Sequence, residues 1–453
     1  MPATAANIDR GNLSALLRQE TVLFETLHPR SKALAAEAGC LVAGVPMPWM
    51  RRWPGSFPLV VEKAVGARFT DADGLDYIDL CLGDTGAMTG HANELINGAI
   101  SAQLARGATT MLPTEDAAWN ARELARRFGL PKWQFALSAT DANRFVLRFA
   151  RALTGRPRIL VHDWCYHGTV DETLVIAGPT GETVSRPGAI GPQVDPARTT
   201  RTVPFNDLEA LDRVLSRGDV ACFLMEPALT NIGIVLPDPG YHEGVREITR
   251  RHGVLLVADE THTICAGPGG CTREWKLEPD LFVIGKTIGG GIPVAAYGMS
   301  AEVAAKVEEM QNDEGIDVSG VGGTLAGNAL SMAAVRATLT NALLPEQFVQ
   351  TKQLAERWTD GVRRAYEKRG LPWSVQRLGC RAEYWFCPPP RNGAAAAAAM
   401  DHELDAFMHL WAINRGVLLT PFHNMALFSP FHGPSDVDRH TEVFEAAIEA
   451  LAA

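Results

Sequence analysis

Leu281-Phe282-Val283-Ile284-Gly285-Lys286-Thr287-Ile288-Gly289-Gly290-Gly291 joins an apolar tetrapeptide to a lysine and then to three consecutive glycines. The four apolar residues read as a buried strand, and the glycines as the turn that ends it. In an open parallel sheet, ligands gather at the carboxyl ends of strands, which is where this lysine falls. Upstream, Val254-Leu255-Leu256-Val257-Ala258 reads as a second buried strand and ends in Asp259-Glu260. A lysine and an aspartate delivered to one sheet edge suit a group that needs an amine and an anion. Pyridoxal 5′-phosphate is such a group: its aldehyde condenses with lysine and its ring nitrogen takes a carboxylate.

Gly285-Lys286-Thr287 also matches the close of a P-loop, which requires a glycine five positions before Gly285. Asp280 stands there, and the glycines follow the lysine instead of preceding it. An acidic side chain at that point repels phosphate. A nucleotide-hydrolase reading is therefore set aside.

Outward from this stretch, between about Asn93 and Ser300, two patterns alternate. Helical stretches such as Asp141–Leu153 and Leu208–Leu215 are separated by the apolar runs Ile159–Val161, Val220–Met225 and Leu281–Ile284. Such alternation predicts an α/β domain with a mainly parallel sheet. Leu13–Leu27 has helical periodicity, and Pro46, Pro48, Pro54 and Pro58 break the arm that follows. Ala67–Leu80 reads as two strands around Asp73-Gly74, and residues 328–369 as a long helical region. The tail alternates a strand over Arg381–Phe386, a helix over Asp401–Arg415, a strand over Gly416–Thr420 and a helix over Asp436–Leu451. The alanine run Ala394–Ala399, following three prolines, could start a helix, but its low complexity reads rather as a tolerant surface linker. The expected division is an N-terminal helix and arm over 1–65, a large domain over 66–330 and a small α+β domain over 331–453.

The chain has 453 residues and a formal net charge of −10. That balance argues against a general nucleic-acid or anionic-membrane surface. Met1–Asp9 lacks the basic start and apolar centre of a secretory signal, and no apolar run is long enough to span a bilayer. Eight cysteines are scattered without a Cys-x-x-Cys pair, which supports neither a metal site nor a disulfide framework. Free buried thiols in a reducing cytoplasm are the expectation.

Three further stretches fall at the ends of expected strands. Ser138-Ala139-Thr140-Asp141 follows Phe135-Ala136-Leu137 and carries a capping-box pattern, whose amides and dipole would face an anion. Tyr166-His167-Gly168 follows Ile159–Val161 and offers an aromatic face to a flat ring. Glu226-Pro227 ends Val220–Met225, with Asn231 close behind. Each has an ordinary structural explanation; their convergence on one sheet edge carries more weight than any one of them.

With these residues assembled, the chain resembles the class III, fold-type I aminotransferases, and most of all their glutamate-1-semialdehyde aminomutase branch. The resemblance runs from about Gly44 to Pro421. It rests on Gly285–Gly298, Cys165-Tyr166-His167-Gly168, Asp259-Glu260 and Gly322-Gly323-Thr324-Leu325-Ala326-Gly327-Asn328. It implies a pyridoxal-phosphate enzyme with a large sheet domain, and a smaller α+β domain made of the N-terminal arm and the C-terminal segment. By the same resemblance Lys286 forms the Schiff base and shuttles a proton, and Asp259 pairs with the ring nitrogen. Ser138, Ala139 and Thr140 hold the phosphate, Tyr166 stacks on the ring beside His167, and Glu226 and Asn231 lie near the phenolic oxygen. Thr324 would reach the phosphate of a neighbouring subunit, which implies a homodimer with shared active sites.

Three departures from the family pattern stand out. Ala139 replaces the usual glycine of Ser-Gly-Thr, tightening the backbone while keeping its amide. Thr261 and His262 follow Asp259-Glu260 where valine usually packs on the ring; His262 is read either as a group that alters substrate choice or as a satisfied neighbour. The aminomutase's carboxylate-binding arginine aligns with Met50 without a gap and with Arg51 after a one-residue shift. The stretch Ala177–Arg198, rich in glycine and proline, is read either as a mobile gate or as a plain surface loop.

Three functions follow in order. The first is an aminotransferase moving an amino group from an amine or amino acid to a keto or aldehyde acceptor through Lys286. The second is an aminomutase moving it within one molecule. The third, a silent cofactor-binding protein, is disfavoured because Lys286 and Asp259 are both intact.

Overall fold

The computed structural model describes residues 8–190, 194–312, 315 and 317–452. The N-terminal Met1–Asn7 and residues 191–193 of the expected gate lie outside them. The chain divides into two compact units.

One unit comprises the described residues of Glu94–Pro345 with Pro390–Ala397. Its centre is a seven-stranded sheet. In chain order the strands are β1 (Lys132–Ala136), β2 (Arg158–His162), β3 (Thr200–Val203), β4 (Val220–Met225), β5 (Leu255–Asp259), β6 (Leu281–Ile284) and β7 (Ala295–Met299). Across the sheet the order is β1-β7-β6-β5-β4-β2-β3. The pairs from β6 to β3 are parallel, whereas β7 runs antiparallel to both β6 and β1. Every residue of β4, β6 and β7 is buried. That explains why these strands read as continuous apolar runs, with helices covering both faces. A fully buried Leu, Ile, Val or Phe contributes about 1.5–3 kcal/mol of transfer free energy, so this sheet is the main store of apolar burial in the unit.

Helix α1 (Ala139–Thr154) connects β1 to β2. Ser138 caps it by accepting from the Asp141 amide at 3.2 Å, and it ends at Gly155 in the left-handed region. Its apolar stripe of Phe145, Val146, Phe149 and Ala150 is buried.

The other unit comprises the described residues of Met1–Asn93, Glu346–Pro389 and Ala398–Ala453. Strands Val61–Val65, Arg68–Asp71 and Asp76–Asp79 form an antiparallel meander, and Val417–Leu418 adds to it in parallel. A three-stranded sheet of Ser374–Leu378, Arg381–Trp385 and Met425–Leu427 packs into a core that includes Trp358, Tyr384, Phe407 and Phe444.

The structure departs from the sequence reading in particular places. A second helix, Pro29–Glu37, follows Arg10–Leu27. The long helical region is two helices, Ala329–Asn341 and Pro345–Lys368, because Pro345 cannot continue the first and starts the second. The alanine run is not a tolerant linker: Gly393–Ala398 is a short helix with Gly393 and Ala396 buried. A side chain at Gly393 would overlap the Asp163 carbonyl and Trp164. Val175–Ala177, which leads into the expected gate, pairs antiparallel with Thr183–Ser185 inside it, so the gate begins as a β-ribbon.

Candidate active site

Lys286 follows β6 directly and has φ +50°, a left-handed backbone uncommon for a side-chain-bearing residue. Such strain costs on the order of 1–3 kcal/mol and persists where the surroundings hold it. Gly285 lets the strand end come against the start of α1: a β-carbon there would lie 3.1 Å from that of Ala139. The lysine is thereby delivered beside the first turn of the helix. Its Nζ lies 2.8 Å from Nε2 of His262, and both side chains are half-buried.

Asp259 closes β5, adjacent to β6 and in register with Val283. Its carboxylate is buried and accepts four hydrogen bonds. Oδ2 takes His167 Nδ1 and Asn143 Nδ2, each at 2.9 Å; Oδ1 takes the Thr261 amide at 3.1 Å and its hydroxyl at 2.6 Å. Burial pushes this carboxyl up, but the bond and charge of His167, with the donors of Thr261 and Asn143, outweigh it. The acid is held below its ordinary value. For His167, burial works downward while Cys165 and Asp259 lift the ring, which is pushed up to about 10. The result is a buried, ionised pair.

The loop after β2 is clamped on two sides. Tyr166 donates its amide to Glu226 Oε1 at 3.0 Å, and Thr230 donates amide and hydroxyl to Oε2 at 3.0 and 2.6 Å. Burial raises the Glu226 carboxyl above its ordinary value, against the opposing charge of His167. Gly168, at φ +77°, passes so close to α1 that a β-carbon there would overlap Thr140. The next amide, Thr169, donates to Thr140 Oγ1 at 3.0 Å. The amides of Ala139 and Thr140 open the helix with no acceptor among the described residues, and the positive end of the helix dipole lies there.

Among the expected site residues, Ser138, Ala139, Thr140, Tyr166, His167, Glu226, Asp259, His262 and Lys286 converge on one edge of the sheet. Asn231 is half-buried in the turn between the bridged residues Leu229 and Val235. Thr324 is exposed in the segment before helix Ala329–Asn341. Arg51 belongs to the other unit, ends the turn Pro48–Arg51, and donates to the Ala43 carbonyl at 3.3 Å. Sequence reasoning missed Asn143 and Thr230. The signal for Asn143 was available: it is an amide on the apolar stripe of α1, next to Ala142 and Phe145. Among the described residues, no group of three or more His, Cys, Asp or Glu side chains is placed to hold a metal ion.

The edge thus carries a strand-end lysine, a carboxylate held ionised, and a helix start with acceptor-less amides. Those are binding elements for an aldehyde, a basic ring nitrogen and a phosphate. Asn143 Oδ1 is buried there without a hydrogen-bond partner among the described residues.

Residues 49–431 match the model of the family described as aminotransferase class-III. Glutamate-1-semialdehyde 2,1-aminomutase 2 of Bacillus cereus (strain AH187) is 35% identical over 407 residues, 88% of this chain and 92% of the relative. A K286A glutamate-1-semialdehyde-aminomutase from Pseudomonas aeruginosa PAO1, solved in complex with PMP, is 47% identical. It superposes with a TM-score of 0.96 over 98% of this chain and 100% of its own. An omega-transaminase from Sphaerobacter thermophilus is 28% identical, with a TM-score of 0.84 over 94% of this chain and 98% of its own.

Proposed function

The chain belongs to the class-III aminotransferases, and we propose that it uses pyridoxal phosphate to carry an amino group from an amine or amino-acid donor to a keto or aldehyde acceptor. The observation that carries this reading is the placement of Lys286, Asp259 and the α1 N-terminus on one sheet edge. Pyridoxal phosphate supplies a carbonyl that condenses with amines and a ring that accepts electrons.

The chain's own residues divide the remaining work. Lys286 anchors the cofactor through Nζ and, when freed, takes a proton from the substrate's α-carbon and returns it elsewhere. Asp259, kept ionised by four donors, would hold the ring nitrogen and keep its proton in place. The amides of Ala139 and Thr140, with the hydroxyl of Thr140, would receive the phosphate; Ser138, our other candidate there, donates its hydroxyl to Asp141 at 2.9 Å and would have to turn from it to do so. By the family resemblance, Tyr166 would cover the ring beside His167, and Glu226 and Asn231 would serve its phenolic oxygen. Arg51 is our candidate for a substrate carboxylate, on family resemblance. Thr324, exposed in this chain, is our candidate for the phosphate site of a second copy, which would make the working form a homodimer. The buried free cysteines agree with a cytoplasmic setting.

A second reading, intramolecular transfer of the aminomutase kind, is favoured by the 47% identity to the Pseudomonas protein. The visible spectrum of purified protein, before and after a panel of amines and amino acids, tests both. Bleaching of a yellow band by particular donors supports the aminotransferase and names its donor class. A band that never bleaches, in a protein that isomerises a supplied amino-aldehyde, supports the aminomutase. A colourless protein after reconstitution overturns both.

A further inference from the structure

We infer that the Thr261 hydroxyl is the donor that gives way at Asp259 when a ring nitrogen binds, so that residue 261 sets how firmly the carboxylate holds the cofactor. This rests on the reading of Asp259 as the partner of that nitrogen.

An ionised carboxylate offers about four lone-pair sites on its two oxygens. At Asp259 the chain's own donors come two to each oxygen. Asn143 Nδ2 and His167 Nδ1 each lie 2.9 Å from Oδ2; the Thr261 amide and hydroxyl lie 3.1 and 2.6 Å from Oδ1. A ring N–H is a fifth donor. It takes a site only by displacing one of the four.

Three of them are held by more than this contact. Asn143 Nδ2 also donates to the His167 carbonyl at 3.2 Å, and turning its amide over would bring Oδ1 against both acceptors. His167 is buried and meets Asp259 as its charged partner, so withdrawing it would strand both charges. The Thr261 amide is backbone, two residues beyond Asp259, and closes a local turn that any residue except proline makes. The Thr261 hydroxyl differs: rotation about its Cα–Cβ bond carries it off Oδ1 and leaves the backbone in place. The ring nitrogen is therefore directed to Oδ1.

That exchange has a cost particular to this residue. A hydroxyl donating to a carboxylate makes a charge-assisted contact, and both side chains are buried, where such contacts are strongest. The ring nitrogen must break it to bind. While it stays, the hydroxyl also draws charge from the acceptor. Burial raises this acid, and His167, then Thr261 and Asn143, bring it below its ordinary value. A side chain of the same shape without the hydroxyl would leave Oδ1 open and the carboxylate a stronger acceptor. Thr261 thus makes Asp259 a looser clamp than valine at the same position would.

The experiment strips the full-length chain of cofactor and measures two affinities by equilibrium dialysis. One ligand is pyridoxal phosphate; the other is its deaza analogue, with C–H in place of the ring nitrogen. The analogue keeps the aldehyde and the phosphate, so the ratio of the two affinities reports the ring nitrogen. Wild type is compared with Thr261→Val, which keeps the shape and removes the hydroxyl, and with Thr261→Ala, which removes it without adding bulk. Thr261→Ser keeps the hydroxyl as a control. The expected result is a ratio raised about 10-fold in the valine and alanine variants, through tighter binding of pyridoxal phosphate, and unchanged with serine. An unchanged or lowered ratio in either folded variant overturns the inference, and that includes a gain shared equally by both ligands, which would mean better packing alone. If one of the two fails to fold, the other decides. If wild type holds the two ligands alike, the ring nitrogen does not reach Asp259, and the reading beneath the inference fails instead.

Discussion

His167 Nδ1 and Asp259 Oδ2 lie 2.9 Å apart, although the strands that deliver them, β2 and β5, are separated in the sheet by β4. The loop after β2 reaches over its neighbour to make this contact, and both side chains are buried. Removing one partner of a buried pair leaves an uncompensated charge, at a cost of about 3–5 kcal/mol.

That pair gives folding stability a defined pH dependence. His167 is raised to about 10, so its contribution is complete below the unfolded value of about 6.5 and is lost as pH rises through 10. Asp259 is lowered, so its share is present above about 3.9 and is lost as pH falls through its folded value. The difference in Tm between wild type and His167→Gln should be largest at roughly pH 4–6.5 and shrink toward pH 10. A difference that stays constant or grows across that alkaline range would mean His167 is not cationic in the fold.

Asp259→Asn should slow the chemistry far more than it weakens the fold. Asparagine keeps one carbonyl acceptor for Thr261, and its amide can donate to a neutral His167, so the stability loss stays near 1–3 kcal/mol. The ring nitrogen, however, loses the anion that keeps its proton, and single-turnover rates should fall by roughly 10²-fold or more. A near-normal single-turnover rate would release Asp259 from this role.

Lys286→Ala should abolish turnover, a loss of about 10⁴-fold or more, while cofactor still binds without a covalent link. The amides proposed to receive the phosphate belong to Ala139 and Thr140 and not to the lysine. Equilibrium dialysis of the variant with pyridoxal phosphate, alongside a turnover assay, checks both parts. Retained activity would end the assignment.

Gly168→Ala should loosen the phosphate end of the site. The added methyl meets Thr140, and the φ of +77° strains any residue other than glycine. Together these should lower stability by about 1–3 kcal/mol and weaken cofactor binding, as read by melting temperature and by titration of the stripped protein. An unchanged affinity would show that Thr140 has room to yield.

Much of the fold was legible because its central strands are apolar on both faces. The runs Val220–Met225 and Leu281–Ile284 and the helix Leu208–Leu215 match the sequence reading residue for residue. Lys286 and Asp259 could be singled out because each interrupts an apolar run at its end. What the sequence concealed was pairing across distance. His262 and Lys286 are 24 residues apart, and Asn143 and Asp259 are 116 apart. Local periodicity does not encode such contacts, since they depend on how β5, β6 and α1 are brought together. At Gly393–Ala398 a helix start was legible but its packing was not: alanine repeats look the same whether they are exposed or wedged under a loop.

A methyl at Gly285 would lie 3.1 Å from the Ala139 methyl and 3.3 Å from its backbone nitrogen, so the strand end and the helix start are tightly set against each other. The two positions should therefore behave as an epistatic pair in which the order of change matters. Ala139→Gly, which restores the family's usual residue, should be tolerated alone and should lessen the cost of Gly285→Ala by removing the methyl–methyl part of the crowding. Taken in the reverse order, the path passes through a crowded intermediate carrying both methyls at the base of the reactive lysine. A designer altering position 285 would therefore do well to change position 139 first.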